Sequence, residues 1–479
     1  MVEGSPLLPP SPVFYRPLRT SILVPMPATA AETRDILDEL KKRHVRFLLL
    51  QFTDLLGVNK AVEVPSSQFE RALGGEVPFD GSALEGFARV EEADALLVPD
   101  LETFRLFPWE SGAVEGRSAE ADGAVARLIC DIRYPDGRLF EGCPRTTLKR
   151  QVERAAKLGF TMRVGCEVEF FIFEQSERGE PTTRTLDAGS YFDLVPVDRG
   201  EEARRAIVAA LEHMKLDVEA SHHEVAYGQH EIDLSYAEPL TMADQWATLR
   251  FIARTIAVRH GLVATFMPKP IYGRNGSGMH THQSLFAKGK NAFLHAEGPI
   301  HLSEVGRWYI GGLLRHARGY CAVTNPLVNS YKRLVPGFEA PVNVSWSTEN
   351  VSPLIRVPAQ RGEATRCENR MPDPCANPYL AIAVQLAAGL DGIHERIDPG
   401  EPVNKNIARM SYRERRKNRI DDLPRDLHEA LDYLEKDAVV REALGEHIYE
   451  RYLDAKREEW QEYIGQVGEW ELNRYLGQY

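Results

Sequence analysis

The sequence predicts an α+β protein in two domains of very unequal size. Three observations carry that expectation. Short apolar runs broken by turn residues fill the chain to about residue 138. From CPRTTLKRQVERAAKLGF onward, helical and strand-like segments follow one another without an obvious linker. Roughly the last sixty residues repeat Glu, Lys, Leu and Tyr at helical spacing, the mark of amphipathic helices. The predicted organisation is a Pro-rich extension at 1–28, a first domain at 29–138 and a large domain at 143–479.

Each element has its own justification. Residues 1–28 hold seven prolines and lack the apolar core of a signal peptide, so they read as a mobile extension. Thr29 and Glu32 fit a capping box opening the helix ETRDILDELKKR, and VRFLLLQFTDLLG reads as a strand and turn. The composition, with 43% hydrophobic and 27% charged residues over 479, is that of a globular protein. A net charge of −12 argues against nucleic acid or an anionic membrane as partner, and no stretch reaches the ~20 apolar residues of a membrane span. Six cysteines without CxxC spacing, several in apolar runs, point to a reduced, cytoplasmic setting.

The stretch GCEVEFFIFE, 165–174, raises the chemical question. As a strand it places Glu167, Glu169, Phe171 and Phe173 on one face and Cys166, Val168, Phe170 and Ile172 on the other, which leaves no face for water. Two carboxylates roughly 7 Å apart in such a strand need a reason. More acids share the pattern: Glu224 and Glu231 in SHHEVAYGQHEIDLSY, and Glu368 in TRCENRMPDP. NGSGMHTHQSLF adds His280 and His282 behind a glycine-rich approach. Each acid alone is better read as a salt-bridged or edge-exposed residue. Five glutamates and a histidine in apolar contexts imply clustered charge that cations must hold, and an oxygen-rich set with one imidazole suits Mg²⁺ or Mn²⁺ better than zinc. Arg333, Arg356, Arg361, Arg366 and Arg370 are either a solvated face or a clamp on phosphates and carboxylates. Divalent ions with arginines equip phosphoryl transfer, and no G-x-x-x-x-G-K-[ST] loop is present. The residues by themselves describe a two-metal, nucleotide-using enzyme with a small anionic substrate.

At these residues the chain resembles type I glutamine synthetases, in the subgroup of Gram-positive bacteria and archaea. The stretches that carry the resemblance are FDGSALEGFARVEEADALLVPDLETF, GCEVEFFIFE, SHHEVAYGQHEID, ATFMPKPIYGRNGSGMHTHQSLF, TNPLVNSYKRLVPGFEAP and ENRMPDPCANPYLAIAVQLAAGLDGI. It implies an N-terminal β-grasp-like domain and a large catalytic domain on a curved antiparallel sheet. Two or three divalent cations, Mg or Mn, would sit in each site, one held by Glu169, Glu224 and Glu231 and another by Glu167, His280 and Glu368. Glutamate would lie against Asn275, Gly276, Arg333 and Arg370, with Glu224, His280 and Tyr191 also at the substrate. ATP would meet His282, Ser284, Arg356 and Arg366. Catalytic roles would fall to Arg370, to the flap acid Glu339 and to Asp80, which would reach a neighbouring subunit's site and take the ammonium proton. A cytoplasmic dodecamer of two hexameric rings is implied.

Two departures bear on the acceptor. Ala83 replaces a serine usual in the ammonium loop, a loss of about 1–3 kcal/mol if its partner stays unsatisfied. Val351 stands where the family carries an arginine, a role that can be worth on the order of 10³-fold in rate. Tyr227, where relatives often have proline, reads as minor, and the segment carrying the adenylylated tyrosine is missing after NKNIARMSYRERRKNRIDDLP. Three readings follow: a glutamate–ammonia ligase; a γ-glutamyl ligase for a monoamine, ethanolamine or polyamine; and a non-catalytic assembly of the same fold.

Overall fold

A computed structural model describes residues 29–83, 94–109, 123–298, 300–350, 352–405, 407–418 and 420–479. The expectations for residues 1–28 and Val351, and for the side chain of Ala83, lie outside the described residues. The capping box is formed: Thr29 Oγ1 accepts from the Glu32 N–H, and Glu32 accepts from the Thr29 N–H. It opens helix α1 (Ala30–Lys42), which buries Leu40.

The first sheet contains β1 (Val45–Thr53), β2 (Asn59–Pro65), β3 (Val77–Asp80), β4 (Asp94–Leu106) and β5 (Ala124–Arg133), in the order β2-β1-β5-β4-β3. Only β1 and β5 run parallel among these pairs. Leu48, Leu50, Leu97, Leu128 and Ile132 fill its own small core with Leu40 of α1.

Helix α2 (Pro144–Lys157) leads into the second sheet, built around the fifteen-residue strand β6 (Thr161–Gln175). Around it lie β7 (Pro181–Thr185), β8 (Val218–His223) and β9 (Gln229–Ala237); helix α3 (Pro239–Arg259) then precedes β10 (Leu262–Thr265) and β11 (Met279–Ala287). β7, β9, β10 and β11 all pair with β6. Strand Cys367–Asn369 extends the sheet beyond β11, followed by Ile355–Arg356 and Trp346–Ser347. The sheet is curved and antiparallel as expected, except that Trp346–Ser347 runs parallel to Ile355–Arg356.

The two faces of β6 sort as their alternation requires. Cys166, Val168, Phe170 and Ile172 enter the main core with Trp246 and Leu249 of α3. Phe171 and Phe173 form a separate small cluster with Ala226 on the face that carries Glu167 and Glu169.

Helix α4 (Glu304–Arg315) packs on α5 (Pro378–His394), which is buried nearly all round. Asn377 caps α5 by accepting from the Tyr379 and Leu380 N–H groups, and donates through Nδ2 to Asp54 and Leu55 of the first sheet's turn. The α4–α5 crossing is backbone against backbone. A Cβ on Gly312 would stand 2.1 Å from the Ala388 carbonyl oxygen, and one on Gly392 2.2 Å from that of Trp308. The amphipathic helices expected near the C-terminus are present at Leu427–Lys436, Ala438–Leu444, Glu446–Ile464 and Glu469–Tyr475.

His316, just beyond α4, joins these layers. Its Nδ1 lies 2.8 Å from Asp437 and its Nε2 3.0 Å from Asp391 of α5. Both partners are carboxylates, so both ring nitrogens donate. Burial opposes the charged ring, but the two carboxylates win and raise its pKa to about 9. A folded-state pKa above the unfolded value of about 6.5 stabilises the protein below that value, and the contribution is lost as pH rises through about 9. His316→Gln is therefore expected to cost about 3 kcal/mol at pH 6, with the deficit shrinking from about pH 6.5 upward and nearly gone by about pH 9. Urea midpoints of both proteins across that range check it; a deficit independent of pH refutes the pairing.

Candidate active site

Strand register gathers the acids and histidines. His280 of β11 lies opposite Glu167, Glu231 of β9 opposite Glu169, and Glu368 opposite His282. His222 of β8 continues the row beyond Glu231, and Asp233 of β9 lies opposite Glu167. All project from the face of β6 that does not pack on the helices.

Within this face the charges are unevenly matched. Glu167 lies 3.0 Å from His280 Nδ1 and 2.7 Å from His282 Nε2. Burial alone would raise its pKa, but these two hydrogen bonds hold it far below the usual carboxylate range. Glu368 is fully buried, with Arg356 Nη1 donating at 2.9 Å and Arg370 Nη1 bonded to its other oxygen. Here too burial is overcome, chiefly by Arg370, and the pKa falls. Glu224, Glu231 and Asp233 behave in the opposite way. Burial raises all three, and neighbouring carboxylates push further: Glu169 on Glu224 and Glu231, Glu167 on Asp233. Glu231 is met by His222 Nε2 at 3.0 Å, not by an arginine.

That unmatched charge fits divalent ions. Glu167, Glu231 and His280 bring one ligand atom each to within 4.8 Å of one another, as do Glu167, His282 and Glu368, and His222, Glu224 and Glu231. Metal–oxygen bonds of about 2.0–2.2 Å span such gaps, and the donors are mostly oxygen. The groupings overlap the expected ligand sets and add His282 and His222. One oxygen of Glu169 accepts from Gln229 Nε2 at 3.0 Å and from the Gly278 N–H at 2.9 Å, and its other oxygen lies 3.7 Å from His280 Nε2. Gly278 is glycine because the backbone passes so close: a Cβ there would lie 2.5 Å from Arg333 Nη2 and 2.9 Å from His280 Nε2.

The remaining expected residues fall around this cluster or away from it. Asn275 Nδ2 donates to Glu339 at 3.0 Å, and Glu339 sits in the left-handed region, φ 59°. Gly276 accepts from Gln229 through its carbonyl. Arg333 is buried with its guanidinium on the carbonyls of Met371 and Arg370. Arg366 donates to His282 Nδ1 at 3.0 Å, and Ser284 lies further along β11, opposite Arg163. Arg361 turns away to backbone carbonyls, among them that of Ile300. Tyr191 is half exposed, edge-on to His222. Asp80 is exposed at the end of β3 in the first sheet, where it accepts from the Ser82 N–H and Oγ at 2.9 and 2.6 Å.

Sequence reasoning missed a supporting layer. Gln229 is buried and fixes Glu169, Gly276 and the Ala226 N–H at once. Asp187 accepts from the N–H groups of Gly189, Gly228 and Arg199 and from His223, whose other nitrogen meets the Glu224 carbonyl oxygen at 2.6 Å. Gln229 and His223 flank Glu224 in SHHEVAYGQHEID, so their place was visible but their partners were not.

Comparison with known proteins now decides the family. The family model "Glutamine synthetase, catalytic domain" matches residues 141–475, and "Glutamine synthetase, beta-Grasp domain" matches 44–135. The chain belongs to the glutamine synthetase family. A glutamine synthetase of Thermus thermophilus is 57% identical over 93% of this chain and 99% of its own length. One from Methanosarcina mazei is 51% identical over 92% and 97%, and one from Staphylococcus epidermidis 50% over 95% and 100%. A solved structure of GmaS with ADP superposes with a TM-score of 0.83 at 33% identity, over 92% of this chain and 99% of that one. Membership makes this chain a glutamate–ammonia ligase that uses ATP and divalent ions.

The supporting layer yields a prediction. Gln229→Met removes the side-chain donor that orients Glu169, and is expected to weaken Mn²⁺ binding by about 10–100-fold while the fold persists. Calorimetric titration alongside far-UV circular dichroism checks both halves; unchanged affinity refutes the orienting role.

Proposed function

We propose that the chain joins ammonia to the γ-carboxylate of L-glutamate, using ATP and passing through γ-glutamyl phosphate. The observation that carries this reading is the convergence of Glu167, Glu231, Glu368, His280 and His282 on one sheet face of a glutamine synthetase catalytic domain. Bound Mg²⁺ or Mn²⁺ would supply positive charge to the transferring phosphoryl group. Glu167, Glu169, Glu224, Glu231, His280 and Glu368 would hold the ions, with His282 and His222 close enough to join them.

The chain's own groups then perform the steps. Asn275, Gly276, Arg333 and Arg370 orient glutamate, with Tyr191 beside it. His282, Ser284, Arg356 and Arg366 receive ATP, and the arginines offset charge as the γ-phosphoryl passes to the carboxylate. A carboxylate is a poor electrophile, and the acyl phosphate formed, with ADP released, is a good one. Asp80 takes a proton from ammonium; ammonia attacks the acyl carbon and phosphate leaves. Glu339, which Asn275 already reaches, closes the loop that keeps water from the intermediate.

Asp80 belongs to the proposed domain 29–138, the ion-holding residues to 143–479. Its exposure at the end of β3 leaves it free to complete a neighbouring subunit's site, and the assembly we propose is a cytoplasmic dodecamer of two hexameric rings. No helix among the described residues is long and apolar enough to cross a membrane. Relatives at 50–57% identity are named glutamine synthetase, so neither the organic-amine reading nor the non-catalytic one is favoured.

Purified protein with Mg²⁺, ATP and glutamate is expected to form glutamine saturably with ammonium. Products identified by mass, with ammonium and a panel of amines compared, test this; turnover with an amine alone would refute it. Asp80→Ala and Glu368→Ala proteins, each inactive, are expected to regain activity when their subunits are exchanged. Mixed assemblies that stay inactive despite verified exchange would refute the shared site.

A further inference from the structure

A cavity of about 240 Å³ lies between the first sheet and α3, lined by residues of β4, β5, the Met214–Leu216 segment and the start of α3. None of its lining residues belongs to the charged face of β6. Arg145 of α2 forms one wall, and its charge is already matched. Its Nε and Nη2 donate to the two oxygens of Asp244 at 3.1 and 2.9 Å, Nη2 also to Asp100 at 2.7 Å, and Nη1 to Asp131 at 2.9 Å.

Arg127 of β5, which also lines the cavity, is not matched. It is 4% exposed, yet its hydrogen bond among the described residues is one contact from Nη1 to Gln51 Oε1 at 3.2 Å. Its Nε has no partner. Asp244 acts on it through space, but that carboxylate already accepts from Arg145 and from the Tyr379 hydroxyl at 2.7 Å. Two more cations line the same space. Arg105 donates to the carbonyls of Met214, Glu102 and Phe104, and to no carboxylate among the described residues. Exposed Lys215 forms no ion pair among them either. Glu102 is the one lining acid left without an ion pair there. Burial lowers the Arg127 pKa to about 10, the direction expected of a guanidinium lacking its counterion.

A buried charge without a partner is costly, and natural proteins keep one where something else completes it. We propose that this cavity is a binding site for a small oxyanion, a carboxylate or phosphate group seated on Arg127 with Arg105 and Lys215 beside it. The planar guanidinium fork recognises both groups through paired hydrogen bonds, and the volume admits an anion of malonate size. An anion there would touch β5 of the first sheet and α3 beneath the second at once, and so join the two.

The test uses full-length protein melted in the presence of malonate or inorganic phosphate, with chloride at equal ionic strength as control. At least one anion is expected to raise Tm saturably, by on the order of 5 °C at a hundredfold excess over Kd. Malonate alone would assign a carboxylate ligand, phosphate alone a phosphate, and both the shared oxyanion chemistry. The rise is expected to vanish in Arg127→Met and to persist in Arg356→Gln, whose change lies on the charged face of β6. Arg127→Met is further expected to melt no lower than the unmodified protein without anion, because it removes an uncompensated charge. Should that variant fail to fold, Arg105→Gln and Lys215→Gln are each expected to weaken anion affinity several-fold. No saturable rise means that the cavity holds water only, and overturns the proposal. An equal rise in Arg127→Met, or undiminished affinity in both Arg105→Gln and Lys215→Gln, overturns it as well.

Discussion

Carboxylates crowd one face of β6 more densely than that face can neutralise. Where a hydrogen-bond donor or a cation is at hand the acid is held ionised: Glu167 by its hydrogen bonds to His280 and His282, Glu368 between Arg356 and Arg370. At Glu224, Glu231 and Asp233, burial and mutual repulsion instead favour the protonated form. The electrostatic deficit is therefore localised, between β6, β9 and β8. That is where externally supplied positive charge is most strongly stabilised, and the arginines stand at the opposite side, where a polyphosphate would need them.

The fold exists to make such crowding possible. The other face of β6 is apolar and packs on α3 and α2, so the burial that disfavours the charges comes from the same strand that presents them. Backbone-close packing of α4 on α5 removes slack from that support, and Asn377 ties the end of α5 to the turn after β1. The first sheet keeps a separate core. It meets the second through side chains such as Arg145 and Asn377, which carry polar and charged contacts across the boundary.

What the sequence made legible was local. The alternation in GCEVEFFIFE sorts correctly onto two faces because a strand's period depends on nothing beyond itself. The capping box at Thr29 needs three intervening bonds of chain and no tertiary partner. The family resemblance and the acids of the site were readable for a related reason, since each lies in a contiguous motif. Pairings between motifs were not. Glu167 and His280 are 113 residues apart and meet only through the register of β6 with β11. Gln229's hold on Glu169 and His222's on Glu231 depend on the same kind of register, and Asp187's on His223 on the loop that follows β7. Arg333 illustrates a different gap: the sequence marks it as one more clamp arginine, and only the fold shows that its guanidinium is also seated on the backbone carbonyls of Met371 and Arg370.

The clasping of β6 by four strands has a kinetic consequence. Amides in a strand paired along both edges exchange with solvent only when a large cooperative unit opens. The segment bearing Glu167 and Glu169 thus belongs to the slowest-exchanging part of the chain, whereas Glu339 and Tyr191 sit on loops free of such pairing. Entry and departure of whatever occupies the charged face would then be timed by the loops, over a floor that stays shut to solvent hydrogen for far longer than any turnover.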